Sequence, residues 1–162
     1  MKVVYPGSFD PLTVGHVNIV NKLILSPDIN HIIILVANNI KKNNLIELND
    51  RVNLIKGSFN SDKITVNTTN GTVVDYCKDN NISAIIRGLR NVNDFSSEQE
   101  LNYINQGLSK YVLTLLVFSD KEYLEVSSSL VKEYISFKID VKDLVPSNVY
   151  EYLIKEKNVF NK

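Results

Sequence analysis

A chain of 162 residues is long enough for one ordinary globular domain with a sizeable core. Eighteen basic residues balance eighteen acidic ones; bulk charge therefore favours neither nucleic acid nor an acidic membrane as a partner, and any anion site has to be made locally. The single cysteine, Cys77, has no internal disulfide partner, which suits a reducing compartment.

In chain order, "KVVY" (2–5) predicts a strand. "YPGSFDPLTVGH" (5–16) follows as a loop into a first helix over 15–26, whose Val17, Val20, Leu23 and Ile24 share one face. "HIIILVA" (31–37) is the near-continuous aliphatic run of a strand covered on both sides. A helix is expected over 48–58, with Asn49 or Asp50 near its start, then a strand over 63–68 and a helix over 72–80. A fourth strand (83–88), a long helix (94–109) and a fifth strand (111–119) come next. Helices over 127–137 and 147–156 close the chain, the second behind Pro146.

No stretch has the apolar core of a signal peptide or the roughly 18 apolar residues of a membrane span. The expectation is a soluble, cytoplasmic chain with no membrane partner. Strand–helix alternation predicts an α/β fold: a single-domain, doubly wound, Rossmann-like parallel sheet of about five strands with helices on both faces, covering 1–162. Ligands of such sheets bind outside the carboxyl ends of the strands, near the point where strand order reverses. Four polar clusters should therefore share one edge: Ser8 to His16, Lys41 with Lys42, Arg87 to Arg90, and Tyr123 to Ser129.

The opening loop is neither a P-loop nor G-x-G-x-x-G. His16 stands at the start of the first helix, where free N–H groups and the helix dipole favour an anion. Gly15 lets a ligand approach the backbone, Gly7 permits the turn out of the strand, and Ser8 and Thr13 add hydroxyls. A plainer alternative is that Thr13 caps the helix and His16 is solvated; the whole string "GSFDP-x-T-x-GH" argues for more. "IIRGLR" sends Arg87 and Arg90 out of a strand end, either as a clamp on phosphates or as salt bridges to Asp94 or Glu98. Lys41 and Lys42 alone read as a solvated turn. "VSSSLVKE" (126–133) offers three serines where one suffices as a cap. No Cys or His cluster has metal-ligand spacing; His31 and Cys77 read as structural.

"YPGSFDPLTVGH", "IIRGLRNVNDF", "VSSSLVKE" and "DLVPSNVYEYL", in this order, resemble the bacterial phosphopantetheine adenylyltransferases, of the nucleotidylyltransferase superfamily marked by T/H-x-G-H. The resemblance runs essentially end to end. It implies transfer of the adenylyl group of ATP to 4′-phosphopantetheine with Mg²⁺, giving dephospho-CoA and pyrophosphate, the penultimate step of coenzyme A biosynthesis. It also implies coenzyme A as a feedback ligand and a homohexamer built as a dimer of trimers. The attacking phosphate has a second pKa near ~6 and needs no general base.

By the same resemblance, His16 would contact the α-phosphate and stabilise the transition state, Ser8 would orient the attacking phosphate, and Phe9 would contact ATP through its backbone. Lys41 (or Lys42, in the other register) and Arg87 would bind the substrate phosphate, with Val73 lining the pantetheine side. Gly88, Leu89, Arg90 and Glu98 would hold the nucleotide. Tyr123, Leu124, Glu125, Val126, Ser127, Ser128 and Ser129 would close over ATP. Catalysis would fall to His16, Ser8, Lys41 and Arg90, with no metal ligand in the protein. Ser8 stands where many relatives have threonine, and Tyr123 and Val126 where tryptophan and isoleucine are common. Sister nucleotidylyltransferases usually carry a second histidine at the position of Thr13. A non-catalytic nucleotide-binding module would be expected to have lost His16, Ser8 or the arginines.

Overall fold

The computed structural model describes residues 1–37 and 44–157. Five strands, β1 (Lys2–Gly7), β2 (His31–Ala37), β3 (Ile64–Thr69), β4 (Ala84–Leu89) and β5 (Leu113–Phe118), form one parallel sheet in the order β3-β2-β1-β4-β5. Between and after them come α1 (Val14–Leu25), α2 (Leu48–Ser58), α3 (Val73–Asp79), α4 (Val92–Leu108), a 3₁₀ turn at Lys121–Tyr123, α5 (Ser128–Ser136) and α6 (Ser147–Lys157). The α/β reading holds, and β2 and α2 fall on their expected spans; the short 3₁₀ turn has no hydrophobic period and was not legible. The expected cap at Asn49 or Asp50 is corrected: both lie inside the first turn of α2, whose N-cap Glu47 makes no side-chain cap bond. Asp50 instead accepts from the Tyr152 hydroxyl of α6 at 2.7 Å.

Alternation along each strand sorts the core into two layers. Val3, Tyr5, Ile32, Ile34, Val36, Ala84 and Ile86 pack with α1, α2, α5 and α6. Val4, Ile33, Leu35 and Ile85 point the other way, onto Val74 and Cys77 of α3 with Ile82 and Val112. Cys77 is fully buried there, and His31 bonds across strands to Thr65 Oγ1 at 3.0 Å; both are structural, as expected.

Strand order reverses between β1 and β4. β4 pairs with β5 at six positions, but with β1 only at Val3–Ala84 and Val4–Ile85. Beyond Ile85 the two strands part, and the gap at their carboxyl ends opens the crevice that this topology puts at its switch point.

Candidate active site

The crevice is a cleft of about 290 Å³ lined by Ser8, Phe9, His16, Arg87, Gly88, Arg90, Asp94, Glu98, Val126 and Ser127 to Ser129, among others. Three of the four expected clusters meet there. The fourth, with Lys41 and Lys42, lies outside the described residues.

The loop between β1 and α1, residues 8–13, is shaped by apolar packing. Phe9 adopts a left-handed backbone (φ 46°), unusual for a residue with a Cβ. Its ring is 2% exposed and meets Tyr5 and His16 edge-on, at centroid distances of 5.5 and 5.1 Å. That burial, on the order of 2 kcal/mol, offsets a backbone strain of about 1 kcal/mol. Gly7 is needed for the same ring, since a Cβ there would come within 2.9 Å of Phe9 Cζ. This corrects the expectation that Gly7 supplies turn freedom, because no glycine here has a positive φ. Gly15 faces the Val126 carbonyl, 3.5 Å from where its Cβ would sit, so it admits the α5 entry loop to α1.

Thr13 and His16 form a reciprocal capping box at the start of α1. Thr13 Oγ1 accepts from the His16 amide at 3.4 Å, and the Thr13 amide donates to His16 Nδ1 at 3.1 Å. An amide can only donate, so Nδ1 is unprotonated and the ring's proton sits on Nε2. Burial, reinforced by the Arg90 charge, pushes the imidazole pKa down to about 4. His16 is therefore a neutral donor at pH 7 rather than a cation. The capping reading of Thr13 holds, and the same contacts orient the histidine.

Of the two arginine readings, the salt bridges are what the fold forms. Glu98 grips Arg87 through Nε and Nη2, both at 2.6 Å, and Arg87 Nη1 reaches the Pro6 carbonyl at 3.3 Å across the strand gap. Asp94 holds Arg90 through Nε at 2.9 Å and Nη2 at 3.1 Å, while Nη1 donates to the Val126 carbonyl at 3.3 Å. The four charges cancel, so the described lining is not a bare cationic clamp. What it offers an anion is direction: the remaining guanidinium N–H groups, the His16 Nε2–H, and the first turns of α1 and α5.

The serines divide their work. Ser127 caps α5 by accepting from the Leu130 amide at 3.0 Å, Ser128 Oγ donates to the Pro11 carbonyl at 2.8 Å, and exposed Ser129 lines the cleft. Leu89 is buried, which leaves its backbone as the part able to meet a ligand. Val73 packs against the second core cluster, and neither it nor Tyr123, Leu124 or Glu125 lines the cleft. Sequence reasoning passed over Tyr5, which lines the cleft and whose hydroxyl pKa is raised by burial. It also passed over Asp10, Arg51 and Lys132 behind the loop. Their partners are tens of residues away, so no local spacing marks them.

A family model for cytidylyltransferase-like proteins matches residues 4–134. Among curated relatives, phosphopantetheine adenylyltransferase of Leptospira biflexa serovar Patoc is 42% identical over 96% of this chain and 97% of its own length. That of Finegoldia magna is 38% identical over 93% and 92%. The chain belongs to the phosphopantetheine adenylyltransferase family. The fold has matches at lower identity: nicotinic acid mononucleotide adenylyltransferase of Plasmodium falciparum, complexed with NaAD, superposes with a TM-score of 0.69 at 21% identity, over 99% of each chain. Its complex with APC gives 0.71 at 20%, over 98% of this chain and 97% of that one. The cleft of this adenylyltransferase family member thus sits on a nucleotidyltransferase fold, at the reversal point of its sheet.

Proposed function

We propose that this chain transfers the adenylyl group of ATP to 4′-phosphopantetheine, giving dephospho-CoA and pyrophosphate. Family membership supports the substrates, and the cleft supports the chemistry. The observation that carries the mechanism is the Thr13 amide bond to His16 Nδ1. It leaves the ring's proton on Nε2, and in this reading that neutral N–H donates to a non-bridging α-phosphate oxygen. As the substrate phosphate attacks in line, charge on that oxygen grows and the bond strengthens, so the stabilisation belongs to the transition state. No proton has to move on or off His16. The attacking phosphate is mostly ionised at pH 7, and Ser8 orients it from the loop. Arg87 with the lysine loop binds that phosphate; Arg90, Gly88, Leu89 and the first turn of α5 take the nucleotide. Geometry replaces a general base.

Among the described residues no group of three or more His, Cys, Asp or Glu could hold a metal ion, and Asp94 and Glu98 are engaged by the arginines. This donor set fits Mg²⁺ arriving with the triphosphate rather than a protein cage. When bound, the ion would supply neutralisation of phosphate charge.

Self-association is part of this reading. Tyr103 and Ile104 of α4, with Tyr111, Leu113 and Phe118 around β5, are each 60–88% exposed, large apolar side chains of the kind that mark interaction surfaces where they cluster. It supports packing against further copies; the number six rests on the family resemblance.

The test is Mg²⁺-dependent pyrophosphate release from ATP with 4′-phosphopantetheine, beside His16→Ala. Release with this pair alone, falling 10²- to 10³-fold in the variant as expected for loss of one preorganised donor, upholds the reading. Release with nicotinate mononucleotide, or from CTP with glycerol phosphate, would keep the fold and move the substrate. Silence with every pair would favour a binding module.

A further inference from the structure

Asp10 is 2% exposed, and groups from two distant parts of the chain converge on its carboxylate. The amides of Leu45 and Ile46 donate to it at 2.9 and 2.8 Å, and Lys132 Nζ of α5 ion-pairs with Oδ2. Lys132 stands one turn beyond Ser128, on the same face of the helix. Ser128 Oγ donates to the carbonyl of Pro11, the next residue of the loop, at 2.8 Å. α5 therefore grips the β1–α1 loop at two consecutive residues through two side chains one turn apart. From the other side Arg51, 1% exposed, holds the Ser8 carbonyl through Nη1 at 2.8 Å. One contact would leave α5 free to rotate or slide against the loop; two fix both motions.

We propose that the Lys132–Asp10 pair is a positioning device for adenylyl transfer, setting the register of the α5 serines against Ser8 and His16. Lys132 does not line the cleft, so it acts through the loop and not on a substrate. Its kinetic consequence rests on the function proposed above. The pair also reaches the residues after the lysine loop, because the carboxylate that takes Lys132 holds Leu45 and Ile46. It thereby links the nucleotide side of the cleft to the residues that follow Lys41 and Lys42 in sequence.

Lys132→Met tests this gently, since Asp10 keeps two backbone donors when the ammonium is gone. In the full-length protein, kcat should fall about ten- to a hundredfold, the size of effect a 1 Å misplacement produces. KM for ATP and for 4′-phosphopantetheine should stay within about threefold, and Lys132→Arg should recover most of the loss. Without substrates, amide hydrogen exchange should speed up over 127–133 and at 45–46. A raised KM for ATP at unchanged kcat would overturn the proposal by making Lys132 a ligand contact. A lowered Tm with kinetics and exchange unchanged would overturn it by making the pair purely structural. Should the wild type not use 4′-phosphopantetheine at all, the functional reading falls separately. Exchange then decides the coupling alone: faster exchange upholds it, unchanged exchange overturns it.

Discussion

Helices α4 and α5 flank the same cleft on opposite terms. α5 has nine residues, buries Val131 completely, and is tied to the β1–α1 loop by Ser128 and Lys132. α4 has seventeen residues and buries none of them, yet it supplies the two carboxylates that hold Arg87 and Arg90. One helix is set by core packing, the other by ion pairs at its first turns, with an apolar face left open to solvent. The contrast shows that a helix can hold cleft residues in place through ion pairs without contributing to the protomer's own core. Since isolated helices are marginal in water, the pose of α4 depends on its arginine partners and on whatever occupies that face.

The strongest test of the contrast is Arg90→Ala, because Arg90 bonds to both sides, Asp94 of α4 and the Val126 carbonyl before α5. Arg90→Ala removes three charge-assisted hydrogen bonds, two to Asp94 and one to the Val126 carbonyl; a loss of about 3 kcal/mol in the transition state should lower kcat/KM on the order of a hundredfold. Pyrophosphate-release kinetics would read it, and an unchanged value would mean the two helices are set independently. Next is Val131→Ala, expected to cost about 2–3 kcal/mol in urea unfolding through lost burial and a residual cavity. Ile104→Ala on α4 should change the same measurement by less than about 0.5 kcal/mol in dilute protomer.

A smaller effect comes from pH. The folded pKa of His16 lies near 4, below the ordinary value of 6.5, so the unfolded chain binds a proton first. The stabilisation is complete above pH 6.5 and is lost as pH falls toward 4, by roughly 1 kcal/mol for each unit within that window. Thermal melts from pH 7 to 5 should show the loss in the wild type and less of it in His16→Ala. The smallest effect on protomer folding is expected from Ile104→Glu, which should leave the unfolding midpoint nearly unchanged. Its readout is mass: sedimentation should show a lighter species than the wild type. Identical masses would mean that the open face of α4 is not where copies meet.

The sequence by itself determined the alternation of strands and helices, the parallel sheet and the edge where ligands gather. Those follow from local hydrophobic period and from chain connectivity, and "HIIILVA" carries its two-sided burial on its face. It also marked His16, Ser8, the arginines and the serines, because the motifs are contiguous and their residue types suit an anion. Only the tertiary structure decided what those residues are physically. Whether His16 is a cation or a neutral donor turned on burial beneath Phe9 and the charge of Arg90, 74 positions on. Whether Arg87 and Arg90 are bare or paired turned on which face of α4 meets the end of β4, and Gly7 proved necessary for a ring rather than for a turn. Asp10 and Arg51, and the half-exposed Lys132 that meets Asp10, were invisible along the chain for the same reason: a buried charge is defined by the partners that folding brings to it, and those partners have no fixed spacing in sequence.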